Sequence, residues 1–216
     1  MNPKNDPMDA LQRLRRTRVL AVLRAPSADG AVSAANALVE GGVTGIEVTF
    51  STPDAVRVIA ALRRQHGPSL FLGAGTVTTA DQARRAADAG ASFLVSPGSR
   101  RRLTSAMKAT GLLVMTGVLT PSEVMAALDY GSDVLKVFPA SLGGPAFLSA
   151  LRGPFPDVPF MPTGGVTADN IGVWLAAGAI AVGAGSDLVS AADIAAERFA
   201  EIRRRAAKFA AGGAQE

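Results

Sequence analysis

Short apolar segments recur along the chain at a steady interval, and alanine-rich segments with helical spacing lie between them. The apolar segments begin roughly 20 to 26 residues apart, which is the length of one strand plus one helix. We expect eight strands, at Val19–Leu23, Gly45–Phe50, Leu70–Gly75, Ser92–Ser96, Leu112–Thr116, Val134–Phe138, Pro159–Pro162 and Ala179–Val182. Because these segments are mostly apolar throughout, both faces of the sheet must be covered, as in a parallel sheet flanked by helices.

The segments between the strands predict helices that end at or near a glycine. They cover residues 31–41, 53–67, 79–90, 100–111, 121–131, 145–152, 167–178 and 191–211, and an additional helix over residues 8–16 precedes the first strand. For the helix at 53–67, Ser51 or Thr52 is the expected N-cap, with Pro53 in the first turn.

Eight strands that each precede a helix, without a linker, predict an α/β fold. The expected architecture is a (β/α)8 TIM barrel over residues 1–216, as a single domain with an additional N-terminal helix. A doubly wound open sheet is the competing arrangement. It usually has fewer strands and a glycine-rich first turn, whereas Arg24-Ala25-Pro26-Ser27 follows the first strand here.

The composition of the chain excludes several classes of protein. Of the 216 residues 48% are hydrophobic, so the chain can bury a sizeable core. No apolar run approaches the roughly 18 residues that a membrane span needs, and residues 1–7 lack a signal-peptide pattern. The absence of cysteine excludes disulfides, thiolate metal ligands and a cysteine nucleophile. These features predict a soluble, cytoplasmic protein that does not enter a membrane.

The charge of the chain favours small anions over nucleic acid as partners. The net charge is +4, but the arginines are scattered over helical segments, and the chain has one tyrosine and one tryptophan. A single-strand binder needs aromatic side chains interleaved with basic ones, and no nucleic-acid motif is present. A mildly basic protein of this kind is suited to anionic small molecules.

The segment Val134–Pro139 places a lysine in an unusual position. Of the four lysines, only Lys136 lies among β-branched and aromatic residues, where an ammonium group has to be desolvated or paired. Strand alternation puts Lys136 on the same face as Val134 and Phe138. A desolvated amine is a nucleophile for carbonyl carbon, although a structural ion pair is the alternative explanation of such a lysine.

Polar residues also end the other predicted strands, where a barrel carries its active site. The expected ring consists of Arg24, Glu47, Thr49, Thr76, Ser96, Thr116, Lys136, Thr163 and Ser186. Like Lys136, Glu47 is a charged residue in a predicted strand whose other residues are mostly apolar or small. It can neutralise the lysine, act as a general acid and base beside it, or do both.

Two glycine-bearing turns follow the last two strands. They are Pro162-Thr163-Gly164-Gly165, which leads into a predicted helix, and Gly183-Ala184-Gly185-Ser186. Glycine lets backbone N–H groups approach an anion, and barrels often bind phosphate after strands seven and eight. Ordinary tight turns are the alternative, but the paired placement favours a phosphate or carboxylate site.

No metal site is expected. The single histidine, His66, precedes Gly67 at a helix end, and the carboxylates lack ligand spacing.

Taken together, the sequence resembles the 2-keto-3-deoxy-6-phosphogluconate (KDPG) / 4-hydroxy-2-oxoglutarate (KHG) aldolase family from about Arg18 to about Ser190. No single motif is decisive, but their order is highly specific. The matching segments are Val22-Leu23-Arg24, Gly41-Gly42-Val43, Ile46-Glu47-Val48-Thr49, Gly73-Ala74-Gly75-Thr76-Val77, Ser96-Pro97-Gly98, Thr120-Pro121-Ser122-Glu123, Leu135-Lys136-Val137-Phe138-Pro139-Ala140, Pro162-Thr163-Gly164-Gly165-Val166 and Gly183-Ala184-Gly185-Ser186.

The resemblance implies a metal-free class I aldolase without a cofactor, commonly a homotrimer, that acts on a small 2-keto acid. Lys136 would form the Schiff base and Glu47 would shuttle protons. The implied substrate contacts are Thr76 with the pyruvyl carboxylate, Phe138 beside the Schiff base, Thr163 with substrate hydroxyls, and Gly164, Gly165, Gly185 and Ser186 with phosphate.

Two departures from the family pattern bear on the substrate. Some members carry an arginine where this chain has Ser51, which makes Arg24 the expected partner of the substrate carboxylate. Thr116 stands where the family usually has proline, and we expect it to alter the pocket wall. The Thr52-Pro53 pair is similar to the Ser/Thr-Pro pair of the galactonate-type relative. KDPG cleavage is therefore the leading expectation, with KHG or phosphogalactonate cleavage and a non-catalytic sugar-phosphate-binding barrel as alternatives.

Overall fold

A computed structural model of the chain describes residues 6–214. The strands are β1 Val19–Leu23, β2 Gly45–Thr49, β3 Phe71–Gly75, β4 Phe93–Ser96, β5 Leu113–Val118, β6 Val134–Val137, β7 Phe160–Pro162 and β8 Val182–Ala184. The helices are α1 Pro7–Thr17, α2 Ala28–Glu40, α3 Ala55–His66, α4 Ala80–Asp88, α5 Arg101–Lys108, α6 Pro121–Asp129, α7 Gly144–Arg152, α8 Ile171–Ala176, α9 Ala191–Ala195 and α10 Phe199–Ala214.

All neighbouring strands are parallel, in the order β7-β6-β5-β4-β3-β2-β1-β8. A single bridge between Thr163 and Gly183 joins β7 to β8 and closes the ring. The predicted (β/α)8 barrel with an additional N-terminal helix is thus confirmed. Parallel strands need long crossovers, and the helices of this chain supply them. As a consequence, the carboxyl ends of all strands lie at one end of the barrel.

Alternation along the strands separates two apolar clusters. One lies inside the barrel and contains Leu20, Phe71, Phe93, Val95, Leu113, Met115, Val134, Met161 and Ala181. The other lies between the sheet and the surrounding helices and includes Leu72, Leu94 and Leu135. Ala10 and Leu14 of α1 belong to the inner cluster, so the N-terminal helix packs against the barrel interior. No helix in the described part of the chain is long and apolar enough to cross a bilayer.

Among the boundaries that differ from the sequence-based expectation, three have structural consequences. Strand β8 begins at Val182 rather than Ala179. The predicted helix at 191–211 is two helices, because Glu197 between them has a left-handed backbone (φ 51°). Helix α3 begins only at Ala55, and its N-cap is Asp54, which makes no side-chain capping bond. Neither Ser51 nor Thr52 caps this helix, so their hydroxyl groups serve other partners.

The break between α9 and α10 is organised by a buried carboxylate, Asp193. It accepts hydrogen bonds from Ser190 Oγ (2.6 Å), Arg198 Nε (2.7 Å) and Arg205 Nη2. The Ser190 hydroxyl, followed by the Arg205 and Arg198 guanidinium groups, holds the pKa of Asp193 well below its usual range. Because the folded-state pKa is depressed, the stabilisation is present above the unfolded-state pKa, about 3.9, and is lost as pH falls below it.

We predict that Asp193→Ala lowers the free energy of unfolding at pH 7 by about 2–3 kcal/mol. That is less than the loss for a fully buried pair, because both arginines are partly exposed. Urea unfolding measures the difference, and it should shrink as pH falls below about 4. Glu40→Ala is the matched control, since its pair with Arg203 is exposed at both ends (62% and 60%). An equal loss in both variants, or a difference independent of pH, would contradict this account.

Candidate active site

Lys136 of β6 and Glu47 of β2 meet inside the barrel. The Lys136 Nζ lies 3.4 Å from Glu47 Oε1, although 89 positions separate the two residues. Lys136 is 6% exposed and Glu47 is fully buried. Each is thus a desolvated charge whose compensation is the other. The Phe138 ring centroid lies 5.5 Å from the same Nζ, in cation–π range.

Glycines on neighbouring strands give the pair its space. Gly73 of β3 is in register with Glu47, and Gly117 of β5 is in register with Lys136. A Cβ atom at Gly75 would overlap the Glu47 carboxylate. A side chain at Gly75 would fill the volume that the carboxylate occupies, so this glycine is part of the site. At Gly73 and Gly117 a Cβ atom would instead meet the Phe93 ring and the Pro97 backbone.

Two polar atoms near the carboxyl end are buried without a hydrogen-bond partner among the described residues. They are Glu47 Oε2 and the Thr163 hydroxyl oxygen. An unsatisfied buried polar group costs about 1–3 kcal/mol, and natural proteins keep few of them. Both are hydrogen-bonding positions that a polar ligand could satisfy.

A cavity of about 290 Å³ opens at the carboxyl ends of the strands, with Thr163 in its lining. It brings together seven of the ten residues predicted for the site: Arg24, Phe138, Thr163, Gly164, Gly165, Gly185 and Ser186. Arg24 and Asp187 are the charged residues of the lining. The remaining three predicted residues are Lys136 in β6, Glu47 in β2 and Thr76, which directly follows β3.

The glycine turn after β7 is shaped for backbone contact with a ligand. Gly164 (φ 100°) and Gly165 (φ 73°) have left-handed backbones, which other residues adopt at a cost. Asn170 fixes the turn by donating to Gly165 O and accepting from Thr167 N. Helix α8 begins only at Ile171, so an anion here would be bound by backbone N–H groups rather than by a helix directly after the glycines.

Thr76 directly follows β3 with a φ of 54°, which is unusual for a β-branched residue. Such a conformation costs on the order of 1–3 kcal/mol and occurs preferentially at functional sites. Arg18, Asp54 and Glu197 share a positive φ, but Thr76 is the β-branched residue of the four, so the strain supports its place in the site.

Two members of the expected polar ring were assigned to the wrong face. Ser96 and Thr116 are in register with each other, and Thr116 is in register with Leu135 of the outer cluster. The Thr116 hydroxyl bonds to Ser99 and Ser132 (2.7 Å each). Thr116 therefore does not alter the pocket wall, because Gly117 occupies the inward position beside Lys136.

Sequence reasoning also missed a set of hydroxyl groups at the ends of β1 and β2. Arg24 Nε donates to Ser51 Oγ (2.9 Å), and the backbone N–H of Ala25 donates to Thr52 Oγ1 (3.1 Å). Ser51 and Thr52 had been interpreted as helix caps. The signal that could have corrected this is Pro53-Asp54, which delays the helix.

A larger cavity of about 740 Å³ lies at the opposite end of the barrel. Its lining includes Arg15, Arg18 and Arg152, which stand in or directly after the last turns of α1 and α7. Cations are favourable at helix carboxyl ends. The arginines can serve in that role, and none of the ten residues predicted for the site lines this cavity, so we place the site at the other end.

A parallel barrel with a buried lysine–carboxylate pair at the carboxyl ends of its strands defines an enzyme of carbonyl chemistry. The family model "KDPG and KHG aldolase" matches residues 11–205. The chain therefore belongs to the KDPG/KHG aldolase family, as the sequence motifs predicted, and it is an aldolase, a carbon–carbon lyase.

Individual relatives agree with this assignment. A 2-dehydro-3-deoxy-phosphogluconate aldolase from Treponema pallidum is 40% identical over 88% of this chain and 90% of its own length. A probable 2-dehydro-3-deoxy-6-phosphogalactonate aldolase from Rhizobium meliloti is 34% identical over 85% and 89%. The KDPG aldolase of Legionella pneumophila, solved with pyruvate captured as a covalent carbinolamine, has a TM-score of 0.84 and 33% identity over 94% and 98%.

We predict that Gly75→Ala disturbs the buried pair and lowers the free energy of unfolding by about 1–3 kcal/mol, the usual cost of overpacking. Urea unfolding at neutral pH measures it. Gly172→Ala is the control, because nothing lies within 4 Å of a Cβ there. An unfolding midpoint for Gly75→Ala equal to that of the wild type would refute the overlap with Glu47.

Proposed function

We propose that the chain is a class I aldolase that cleaves KDPG to pyruvate and glyceraldehyde 3-phosphate through a Schiff base on Lys136. The observation that carries this proposal is the 3.4 Å contact between Lys136 Nζ and Glu47 Oε1 inside the barrel. A nucleophilic amine needs a base within reach, and a buried site keeps competing water away. The covalent pyruvate adduct of the Legionella pneumophila relative supports the same chemistry.

The first half of the reaction builds an electron sink. The Lys136 ammonium loses a proton, for which the Glu47 carboxylate is in reach. The free amine then adds to the C2 ketone of the substrate to give a carbinolamine. Glu47 returns the proton to the carbinolamine hydroxyl group, which leaves as water. The product is an iminium ion, whose positive nitrogen can accept an electron pair from the neighbouring carbon.

The second half breaks the carbon–carbon bond. Glu47 accepts the proton of the C4 hydroxyl, the C3–C4 electron pair moves into the iminium, and the aldehyde leaves. The resulting enamine takes a proton at C3, and water hydrolyses the iminium to release pyruvate and restore Lys136. Glu47 both takes and returns protons in this scheme, and its unpartnered Oε2 is free to do so.

The remaining site residues bind and orient the substrate in this proposal. Thr76 holds the pyruvyl carboxylate and Phe138 packs beside the Schiff base. Thr163 offers its unpartnered hydroxyl to the substrate hydroxyls. The phosphate takes the backbone N–H groups and hydroxyl of the cavity wall formed by Gly164, Gly165, Gly185 and Ser186. Arg24 is the cation of this lining and serves an oxyanion of the substrate.

KHG and the phosphogalactonate analogue are the alternative substrates. Ser51 in place of an arginine, together with Thr52-Pro53, favours the galactonate-type substrate, whereas the higher identity to the Treponema pallidum relative favours KDPG. A barrel that only binds sugar phosphates is disfavoured, because such a protein has no need of the buried lysine–glutamate pair.

A homotrimer is also part of the proposal. Phe138 and Leu142, on the segment that follows β6, are 42% and 71% exposed. Large apolar side chains so exposed beside a site are typical of surfaces that bind another subunit. Light scattering in solution gives the oligomeric state.

We predict that borohydride reduction in the presence of pyruvate produces a stable adduct on Lys136, visible as a mass increase on the peptide that contains it. Neither pyruvate nor borohydride alone should give it. If the native protein shows no mass increase after this treatment, the class I mechanism is refuted.

Lys136→Ala is the matched control for the trapping experiment. It should form no adduct and should lose cleavage activity by on the order of 10³-fold or more, as expected for a nucleophile. Because this variant leaves Glu47 buried without its partner, Lys136→Met combined with Glu47→Gln tests the same loss without an unpaired charge. A native circular dichroism spectrum identifies the inactive variants as folded.

We predict that cleavage of KDPG exceeds that of the phosphogalactonate analogue and of KHG in kcat/KM. Parallel assays of pyruvate release from the three compounds measure it. A higher value for either alternative would reassign the substrate while leaving the aldolase chemistry in place.

A further inference from the structure

The side chain of Arg24 is held at the rim of the site by one edge only. It follows β1 and lines the 290 Å³ cavity. Its Nε donates to Ser51 Oγ at 2.9 Å. Among residues 6–214 it forms no ion pair, so its charge is not neutralised by a carboxylate of the described chain. The two Nη groups are the edge available to a ligand.

The hydroxyl that accepts from Arg24 belongs to a directed chain of hydrogen bonds. Ser51 Oγ lies 2.9 Å from Thr49 Oγ1, and Thr49 Oγ1 donates to Leu23 O at 3.0 Å. A hydroxyl has one hydrogen. Because Thr49 uses its hydrogen on Leu23 O, the hydrogen between the two hydroxyls must come from Ser51. The chain therefore runs from Arg24 Nε–H through Ser51 and Thr49 to the carbonyl of Leu23.

This direction has a physical consequence for Ser51. A hydroxyl that donates onward becomes a better acceptor, because successive hydrogen bonds polarise one another. Thr49 is fully buried, so the inner part of the chain is shielded from water. The loop after β1 is held a second time by the Ala25 N–H to Thr52 Oγ1 bond. The guanidinium is thus fixed relative to both loops before any ligand arrives.

We propose that Ser51 is a positioning residue, which with Thr49 holds Arg24 so that its Nη edge binds an oxyanion of the substrate. This inference rests on the proposed function. The small hydroxyl group of Ser51 orients the arginine of the preceding loop. The oxyanion is the carboxylate of the pyruvyl unit or the phosphate, both of which match a guanidinium.

The test is a kinetic double-mutant cycle with Ser51→Ala and Arg24→Gln. Ser51→Ala should raise KM about 3- to 10-fold, the usual effect of one lost hydrogen bond at an exposed position, with little change in kcat. Ser51→Thr should restore KM to near the wild-type value. In the Arg24→Gln background Ser51→Ala should add little, because the two residues act as a unit. Ser33→Ala, an exposed serine on α2, is the matched control and should match the wild type.

Two assays identify the oxyanion. Exchange of the pyruvate methyl protons with solvent uses a substrate with a carboxylate and no phosphate, whereas cleavage of the phosphorylated substrate involves both groups. If Ser51→Ala raises KM in both assays, Arg24 binds the carboxylate. If it raises KM in the cleavage assay alone, Arg24 binds the phosphate. An unchanged KM for Ser51→Ala, or an equal effect in the presence and absence of Arg24, overturns the inference. In that case the wild type still forms the pyruvate adduct, whereas failure of the proposed function removes the adduct itself.

Discussion

The desolvated pair of Lys136 and Glu47 is the constraint around which the barrel interior is arranged. Taking two ions out of water costs several kcal/mol for each, and the cost is recovered only where the partner charge is close and well oriented. Here the two groups come from strands on different sides of the ring and meet at 3.4 Å. The inner side chains around them are otherwise apolar, so neither charge has another strong partner at hand. The cost of burying such a pair makes it weak evidence for a role in stability, and it supports the catalytic role proposed for both residues.

The geometry of parallel strands explains why the site lies where it does. Each strand end contributes its last inward side chain to the same rim, and each following loop adds what the strand cannot supply. β2 and β6 provide the charged pair, whereas the loops after β7 and β8 provide backbone N–H groups. Gly75 of β3 contributes by being small, because a Cβ atom there would overlap the Glu47 carboxylate. Catalytic groups on rigid strands and binding groups on loops are a division of labour typical of this architecture.

Much of the site could be predicted from the sequence, and the failures have a common cause. A charged residue in an apolar strand segment is visible without a structure, which is why Lys136 and Glu47 were found. The face of Thr116 depends on the register between β4, β5 and β6, and a shift of one residue reverses every side chain in a strand. Local composition does not carry that register. The role of Ser51 was missed for a related reason, since its partner Arg24 lies 27 residues away.

The placement of α1 has a consequence for how substrate moves. Ala10 and Leu14 join the inner apolar cluster, so side chains fill the barrel interior and close its amino end. Lys136 is buried near the carboxyl end of β6, and Arg24, Thr163 and Ser186 line the cavity at that same end. Both fragments of a cleaved molecule must then leave by the route through which the molecule came. In the proposed scheme the pyruvyl fragment stays covalently bound to Lys136 after cleavage, so we expect the aldehyde fragment to leave first.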